Sequence, residues 1–182
     1  MKGDFSRWTF DPKKHYSAVL MQQGRLQLDS DWNEQQISNL YRAVTAIKDQ
    51  VGRCGAPKDC DGFRIVVKVA DLTQTELARS GNSPQPDLTP KVDFYITAGR
   101  YYVDGILCEN EQIVPFTKQP SPYHIQAMEK DESYLLYLDI WSRHITALDD
   151  QQIREVALGG PDTTTRSKDD KALASIGAEL SM

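Results

Sequence analysis

Apolar residues recur at steps of three and four between residues 31 and 51, and this spacing predicts an amphipathic α-helix. Its apolar stripe consists of Ile37, Leu40, Tyr41, Val44, Ile47 and Val51. Ser30 or Asp31 can accept backbone N–H bonds at its start, and with Asp31 as the N-cap, Glu34 completes a capping box. Gly52 is expected to end the helix. The stripe also keeps heptad spacing over two repeats, so it packs on the protein's own sheet or on another subunit. We favour its own sheet, because a coiled coil needs about three or more heptads.

The segment before this helix predicts an extended arm. It carries the aromatic residues Phe5, Trp8 and Phe10. Proline at position 12 disfavours helix at the preceding residue, and an arm with large apolar side chains docks on its own sheet or on a neighbouring subunit. Residues 16–29 predict two short strands, or a helical turn and a strand, around a turn at residues 22–24. Together with the three aromatics, the candidate interface comprises Ile37, Leu40, Tyr41, Val44 and Ile47.

The chain after residue 53 is rich in β-branched and aromatic runs. These runs predict strands at residues 63–69, 92–97, 100–103, 106–109, 112–117 and 133–147, with a short helix at 71–77 and a proline-rich loop at 80–90. Asp104-Gly105 between apolar runs is a strong hairpin signal. The expected fold is α+β, mainly an antiparallel β-sheet with one long N-terminal amphipathic helix.

The predicted organisation has four parts. An arm with short strands covers residues 1–29, the long helix residues 30–52, and a β-rich domain residues 53–166. Residues 167–182 are polar with weak helical periodicity, so we expect a tail that is mobile or bound to a partner.

Composition narrows the function classes. The 182 residues carry a formal charge of −5 and no cluster of Lys and Arg, which disfavours a nucleic-acid partner. No run approaches the roughly 18 apolar residues of a membrane span, and the first residues lack the apolar core of a signal peptide, so we expect a soluble protein made in the cytoplasm. The three cysteines do not fit a secreted disulfide framework. Cys54 and Cys60 are spaced more widely than a zinc pair, and no second pair follows.

The acids and histidines do not match a known chemical site. Asp29, Asp31 and Asn33 fit the first positions of a calcium loop, but that loop needs Gly and Glu where this chain has Glu34 and Leu40. Helix capping explains these polar groups better. The three histidines, His15, His124 and His144, lack HExxH spacing, and no GxSxG or phosphate-loop motif is present. We therefore expect no catalytic residue, bound metal or cofactor, and no enzymatic activity.

The strand aromatics leave a second hypothesis open. They are Tyr101, Tyr102, Tyr134, Tyr137 and Trp141. Such residues supply core and cross-strand pairs, or line a platform for sugars. A carbohydrate-binding or carbohydrate-processing surface module is the alternative function.

Four ordered segments carry a family resemblance that extends from residue 1 to about residue 166. They read MKGDFSRWTFDPKKHYSAVLMQQGRLQLDSDWNEQ, ITAGRYYVDGILCENE, YLLYLDIWSRHITALDD and IREVALGGPDTTTR. The chain resembles a bacterial domain family of unassigned biochemical activity, often encoded beside phage-tail-like contractile injection systems. The resemblance implies a structural component at the baseplate, spike periphery or tail-fibre attachment. Its partners would be other injection-system subunits in a homo- or hetero-oligomer, assembled into a large particle.

Overall fold

A computed structural model describes residues 3–81, 93–120, 128 and 132–177 of the chain. The fold is α+β, as predicted, with one long N-terminal helix and three small antiparallel sheets. The helices are α1 (Asp29–Val51) and α2 (Gln74–Arg79). The strands are β1 (Cys54–Gly55), β2 (Ile65–Val66), β3 (Tyr95–Ile96), β4 (Gly99–Val103), β5 (Ile106–Asn110), β6 (Val114–Pro115), β7 (Tyr134–Ile145) and β8 (Arg166–Gly177).

Helix α1 begins two residues earlier than predicted, and its N-cap is Leu28. Because leucine has no side-chain acceptor, only one half of a capping interaction forms: Asp31 Oδ2 accepts the backbone N–H of Leu28 at 3.2 Å. The predicted capping box between Asp31 and Glu34 is absent, and Ser30 is buried inside the first turn. Gly52 ends the helix as predicted, with φ of 85° and its N–H bonded to Lys48 O at 2.8 Å.

The prediction of short strands at residues 16–29 was wrong. Residues 3–28, all of which the structure describes, contain only a 3-10 turn at Pro12–Lys14 and a turn in which Arg25 N–H donates to Gln22 O at 3.3 Å. A strand needs a neighbouring backbone to satisfy its polar groups. The arm lies along α1 instead, and side chains of the helix accept hydrogen bonds from backbone N–H groups of the arm.

Two sheets of three strands form the centre of the protein. Their strand orders are β1-β4-β5 and β2-β3-β6. The predicted hairpin forms between β4 and β5, with Val103 paired to Ile106 across the Asp104-Gly105 turn. The strand predicted at residues 63–69 shrinks to β2, because Phe63 has φ of 63° and interrupts the extended backbone. The short helix predicted at residues 71–77 forms as α2, where Thr73 and Glu76 make a capping box.

The expectation of a mobile or partner-bound tail was wrong for residues 167–177. This segment belongs to β8, which pairs antiparallel with β7 from Tyr134↔Gly177 to Ile145↔Arg166. The two strands form a two-stranded ribbon, and its polar residues make hydrogen bonds from strand to strand. Arg143 Nε donates to Asp170 Oδ2 at 2.8 Å, and Ser142 Oγ donates to Asp169 Oδ1 at 2.5 Å. Polarity here marks a solvent-facing strand. The rest of the predicted tail lies outside the described residues.

The hydrophobic core lies between the β2-β3-β6 sheet and the ribbon. Its buried members are Phe94, Ile96, Val114, Phe116 and Leu173. The rings of Phe94 and Phe116 stack with centroids 4.7 Å apart. Leu136 and Leu138 of β7 pack against this cluster from the ribbon side. Helix α1 contributes no member to it.

Candidate interaction surface

The apolar stripe of α1 is not buried within the chain. Of the 23 residues of the helix, the buried ones are two serines, Ser30 and Ser38. In the stripe, Leu40 is 61% exposed and Tyr41 48% exposed, while Ile37, Val44 and Ile47 are half-buried. An amphipathic helix that packs on its own domain buries its apolar side. The prediction that the stripe packs on the protein's own sheet therefore holds only in part, because Ile37, Val44 and Ile47 are half-buried while Leu40 and Tyr41 remain exposed.

Polar side chains of α1 fasten the arm to the helix. Asp29 accepts two bonds from Ser6, from its backbone N–H at 2.9 Å and its hydroxyl at 2.5 Å. Thr9 Oγ1 donates to Glu34 Oε2. Gln35 Oε1 accepts the backbone N–H of Val19 at 2.7 Å. The acids at the helix start thus orient the arm, which is a different task from the capping predicted for Glu34.

Aromatic contacts complete the attachment of the arm. The rings of Phe10 and Tyr41 lie 5.6 Å apart, and those of Phe5 and Trp8 lie 5.1 Å apart. Phe5 also meets His144 of β7 edge-on at 6.0 Å. The predicted candidate interface is therefore partly used inside the chain, because arm and helix pair their aromatic residues with each other.

The C-terminal half of α1 contacts the β4–β5 hairpin turn. Gly105 lies so close to Val44 that a β-carbon on the glycine would be 2.4 Å from Val44 O. Beside it, Lys48 Nζ forms an ion pair with Asp104 Oδ1 at 2.5 Å. The turn positions the helix and leaves the neighbouring stripe residue Leu40 open to solvent.

Further apolar side chains are exposed in the arm, and sequence reasoning missed them as interface candidates. Leu20 is 84% exposed and Leu26 is 88% exposed. Both lie between the aromatic arm and the helix. The alternation of apolar and polar residues around Leu26 was assigned to a strand, which this segment does not form. These two leucines are exposed apolar side chains of the arm.

The side chains that the sequence singled out for chemistry form no metal-holding group in the part of the chain that the structure describes. Across residues 3–81, 93–120, 128 and 132–177, no three His, Cys, Asp or Glu side chains are placed to hold a metal ion. His15 ends the 3-10 turn of the arm, and His144 lies on β7 with Nε2 buried and unbonded. His124 lies outside the described residues. Cys54, Cys60 and Cys108 are free thiols, and burial raises the pKa of Cys108, which keeps that thiol protonated.

Two of the five strand aromatics meet in a hollow of about 390 Å³. Tyr101 and Tyr137 line it together with Cys54 and apolar residues of the core. A side-chain hydrogen bond with Cys54, followed by burial, raises the pKa of Tyr101. Tyr102, Tyr134 and Trp141 are not among the lining residues of this hollow.

Comparison with known proteins adds one positive finding. The model of a family of unknown function matches residues 1–174 of the chain. No curated protein and no solved structure matches it. Within the described part of the chain, no helix is both long and apolar enough to cross a membrane.

Proposed function

Since the chain belongs to DUF6519, a family of unknown function, we propose its role from its surface: it is a structural component of a phage-tail-like contractile injection system. It would sit at the baseplate, the spike periphery or the tail-fibre attachment, in a binding and not a catalytic role. The injection system itself comes from the family resemblance of the quoted segments. The binding role comes from the structure of α1.

The observation that supports this role is the burial pattern of α1, in which the fully buried residues are polar and the apolar stripe is partly exposed. Two serines are buried in this helix, while Leu40 is 61% exposed and Tyr41 is 48% exposed beside Phe10. Burying apolar surface contributes about 25 cal/mol per Å², so a partner that covers this stripe gains free energy from each side chain. Exposed large apolar side chains that are grouped on a surface are typical of protein–protein interaction sites.

The arm makes this surface ready for binding. Its bonds to Asp29 and Gln35 fix the backbone on one side of the helix, so little chain entropy is lost when a partner docks. Leu20 and Leu26 extend outward from the same segment. The partner therefore meets a preformed surface of arm and helix.

Crosslinking mass spectrometry of particles purified from native cells tests this role. Lys48 of α1 and Lys13 and Lys14 of the arm lie on or beside the surface and are solvent-accessible. We expect crosslinks from these lysines to tube, sheath, baseplate or fibre subunits. Lys118 and Lys168, which are exposed on other elements, are the internal controls. Absence of the chain from the particles, or crosslinks from the control lysines alone, would overturn the proposal.

A further inference from the structure

A groove of about 640 Å³ lies where the arm, the start of α1 and the entry to β8 meet. Asp4 and Phe5 line it from the arm, Trp32 and Asn33 from the helix, and residues 163–166 from the chain before and at the start of β8. The edge-on contact between Phe5 and His144 of β7 brings the arm to this end of the ribbon. Three segments distant in sequence thus build one concave surface, of a size typical of small-ligand sites.

The aromatic side of the groove is Trp32. Its side chain is 58% exposed, although it lies on the first turn of a helix whose two buried residues are serines. An indole ring presents a large flat apolar face, and solvent exposure of that face has a cost that a stacked ligand removes. The apolar C–H face of a sugar ring is complementary to such a surface.

Hydrogen-bonding groups surround the indole without being used by the protein. Within the part of the chain that the structure describes, the side chains of Asp4, Gln27 and Asn33 make no hydrogen bond to another residue. The hydroxyl of Thr163 is also free. The carboxylate accepts hydrogen bonds, while the amide and hydroxyl groups both donate and accept, and this combination matches the hydroxyl groups of a saccharide.

The charge of the groove selects among polar ligands. Among the described residues that line the groove, Arg166 is the single cation, and its Nη1 already donates to Thr164 Oγ1 at 2.5 Å and to Thr165 O at 3.0 Å. With the carboxylates of Asp4 and Asp29, the lining carries two negative charges and one positive charge, a formal charge of −1. Phosphate groups and acidic sugars meet net repulsion here, in spite of the helix N-terminus. A neutral ligand meets no such electrostatic repulsion.

We propose that this groove is a binding site for neutral oligosaccharides, with Trp32 as the stacking platform and Asp4, Gln27 and Asn33 as hydrogen-bonding partners. This site goes beyond the proposed assembly role and does not depend on it. It also differs from the sugar platform of Tyr101 and Trp141 considered from the sequence. A cell-surface glycan that met the groove would be held at the junction of arm, helix and ribbon.

Isothermal titration of the full chain with a panel of neutral tetrasaccharides, made of glucose or N-acetylglucosamine units, tests the site. At least one member of the panel is expected to bind. Trp32→Ala should raise its Kd about tenfold or more, which corresponds to about 1.4 kcal/mol or more, because the variant loses the central aromatic contact. Tyr16→Ala is the matched control, because Tyr16 is an exposed aromatic outside the groove and its bond to Ser38 uses a backbone oxygen. Its Kd should equal that of the native chain.

The possible outcomes separate cleanly. Binding that is lost in Trp32→Ala and kept in Tyr16→Ala supports the site, and a matching loss in Asn33→Ala supports the hydrogen-bonding role. No binding at millimolar saccharide, or equal affinity in the native chain and Trp32→Ala, overturns it. A peptide display library run in parallel provides the competing class: peptides captured through Trp32 without saccharide binding would assign the groove to a protein partner and overturn the glycan proposal.

Discussion

The side-chain amide of Gln119 pairs with both backbone polar groups of Leu173, as a neighbouring strand would. Gln119 Nε2 donates to Leu173 O at 3.0 Å, and Leu173 N–H donates to Gln119 Oε1 at 2.7 Å. The same Nε2 also donates to Phe116 O at 2.9 Å. Since Leu173 and Phe116 belong to the buried core, these backbone groups depend on Gln119 for their partners. One amide therefore closes the edge of β8 where the ribbon meets the core.

Replacing this amide should destabilise the protein. Gln119→Leu keeps the approximate size of the side chain and leaves three backbone groups without a partner, at a cost of about 2–4 kcal/mol in the free energy of unfolding. Urea denaturation measures the change. Gln50→Leu is the control, because Gln50 lies exposed near the end of α1. Equal unfolding midpoints for the two variants would contradict the bridging role of Gln119.

The carboxylate of Glu76 joins α2 to the segment before β2. Arg64 Nε donates to Glu76 Oε1 at 2.7 Å and Arg64 Nη2 to Oε2 at 2.6 Å, while Thr73 adds its backbone N–H at 2.7 Å. Glu76→Gln removes the charge from this buried position and should lower the free energy of unfolding by about 2–3 kcal/mol. Thermal unfolding checks this. Glu109→Gln, at an exposed site on β5, is the control and should have little effect.

The same carboxylate predicts a pH dependence of stability. The hydrogen bonds from Arg64 chiefly, together with those from Thr73, lower the pKa of Glu76 from 4.5 to about 2. A depressed folded-state pKa stabilises the fold above the unfolded-state value. The contribution is therefore complete above pH 4.5 and declines as the pH falls from 4.5 towards 2. Glu76→Gln should flatten this part of the stability curve, and an unchanged slope would refute the assignment.

The contact between Gly105 and Val44 predicts that a methyl group at Gly105 destabilises the fold more than a methyl group at an unobstructed glycine. Gly105→Ala places a β-carbon 2.4 Å from Val44 O at a residue with φ of 84°. Gly159→Ala has nearly the same backbone strain, with φ of 85°, but no atom within 4 Å of the new carbon. The strain costs each variant about 1–2 kcal/mol. The excess loss in Gly105→Ala measures the contact between turn and helix, and a smaller loss than in Gly159→Ala would contradict that contact.

The bonds between Ser6 and Asp29 predict how the arm is released. Asp29→Asn weakens both bonds, so proteolysis of the arm should become faster while the core remains intact. Asp49→Asn is the control, because Asp49 is an exposed acid elsewhere on α1. The side-chain and backbone bonds from Ser6 lower the pKa of Asp29 from its usual 3.8. Arm protection should therefore persist above pH 3.8 and decline below it in the native chain, and a flat cleavage rate would exclude Asp29 as the anchor.

Local signals predicted the local parts of this fold. Periodicity gave the existence of α1, and Asp104-Gly105 between apolar runs gave the β4–β5 hairpin. Glu34, in contrast, has the spacing of a capping box with Asp31, yet Thr9 binds its carboxylate from 25 residues away. A rule based on local spacing does not include Thr9, because this residue is 25 positions away in the sequence.

The β7–β8 ribbon shows that local sequence signals also fail to predict pairing between strands that are distant in sequence. The polar segment that starts β8 was predicted to be a tail, since no nearby residue indicated the partner strand β7. In the structure, β7 pairs with the segment that contains Asp169 and Asp170, so these charged residues belong to a strand. The stripe residues were identified from spacing alone, but spacing does not say how far each of them is buried. The structure shows that Leu40 is 61% exposed.

Co-sedimentation with particles from native cells tests the central claim most directly. The measurement compares the native chain with Leu40→Asp and with Ala46→Asp, which introduces the same charge on α1 outside the stripe. Because Leu40 is exposed, its substitution should leave the circular dichroism spectrum unchanged. We predict that the native chain and Ala46→Asp sediment with the particles while Leu40→Asp remains in the supernatant. Equal sedimentation of all three, or of none, would contradict an interface on the α1 stripe.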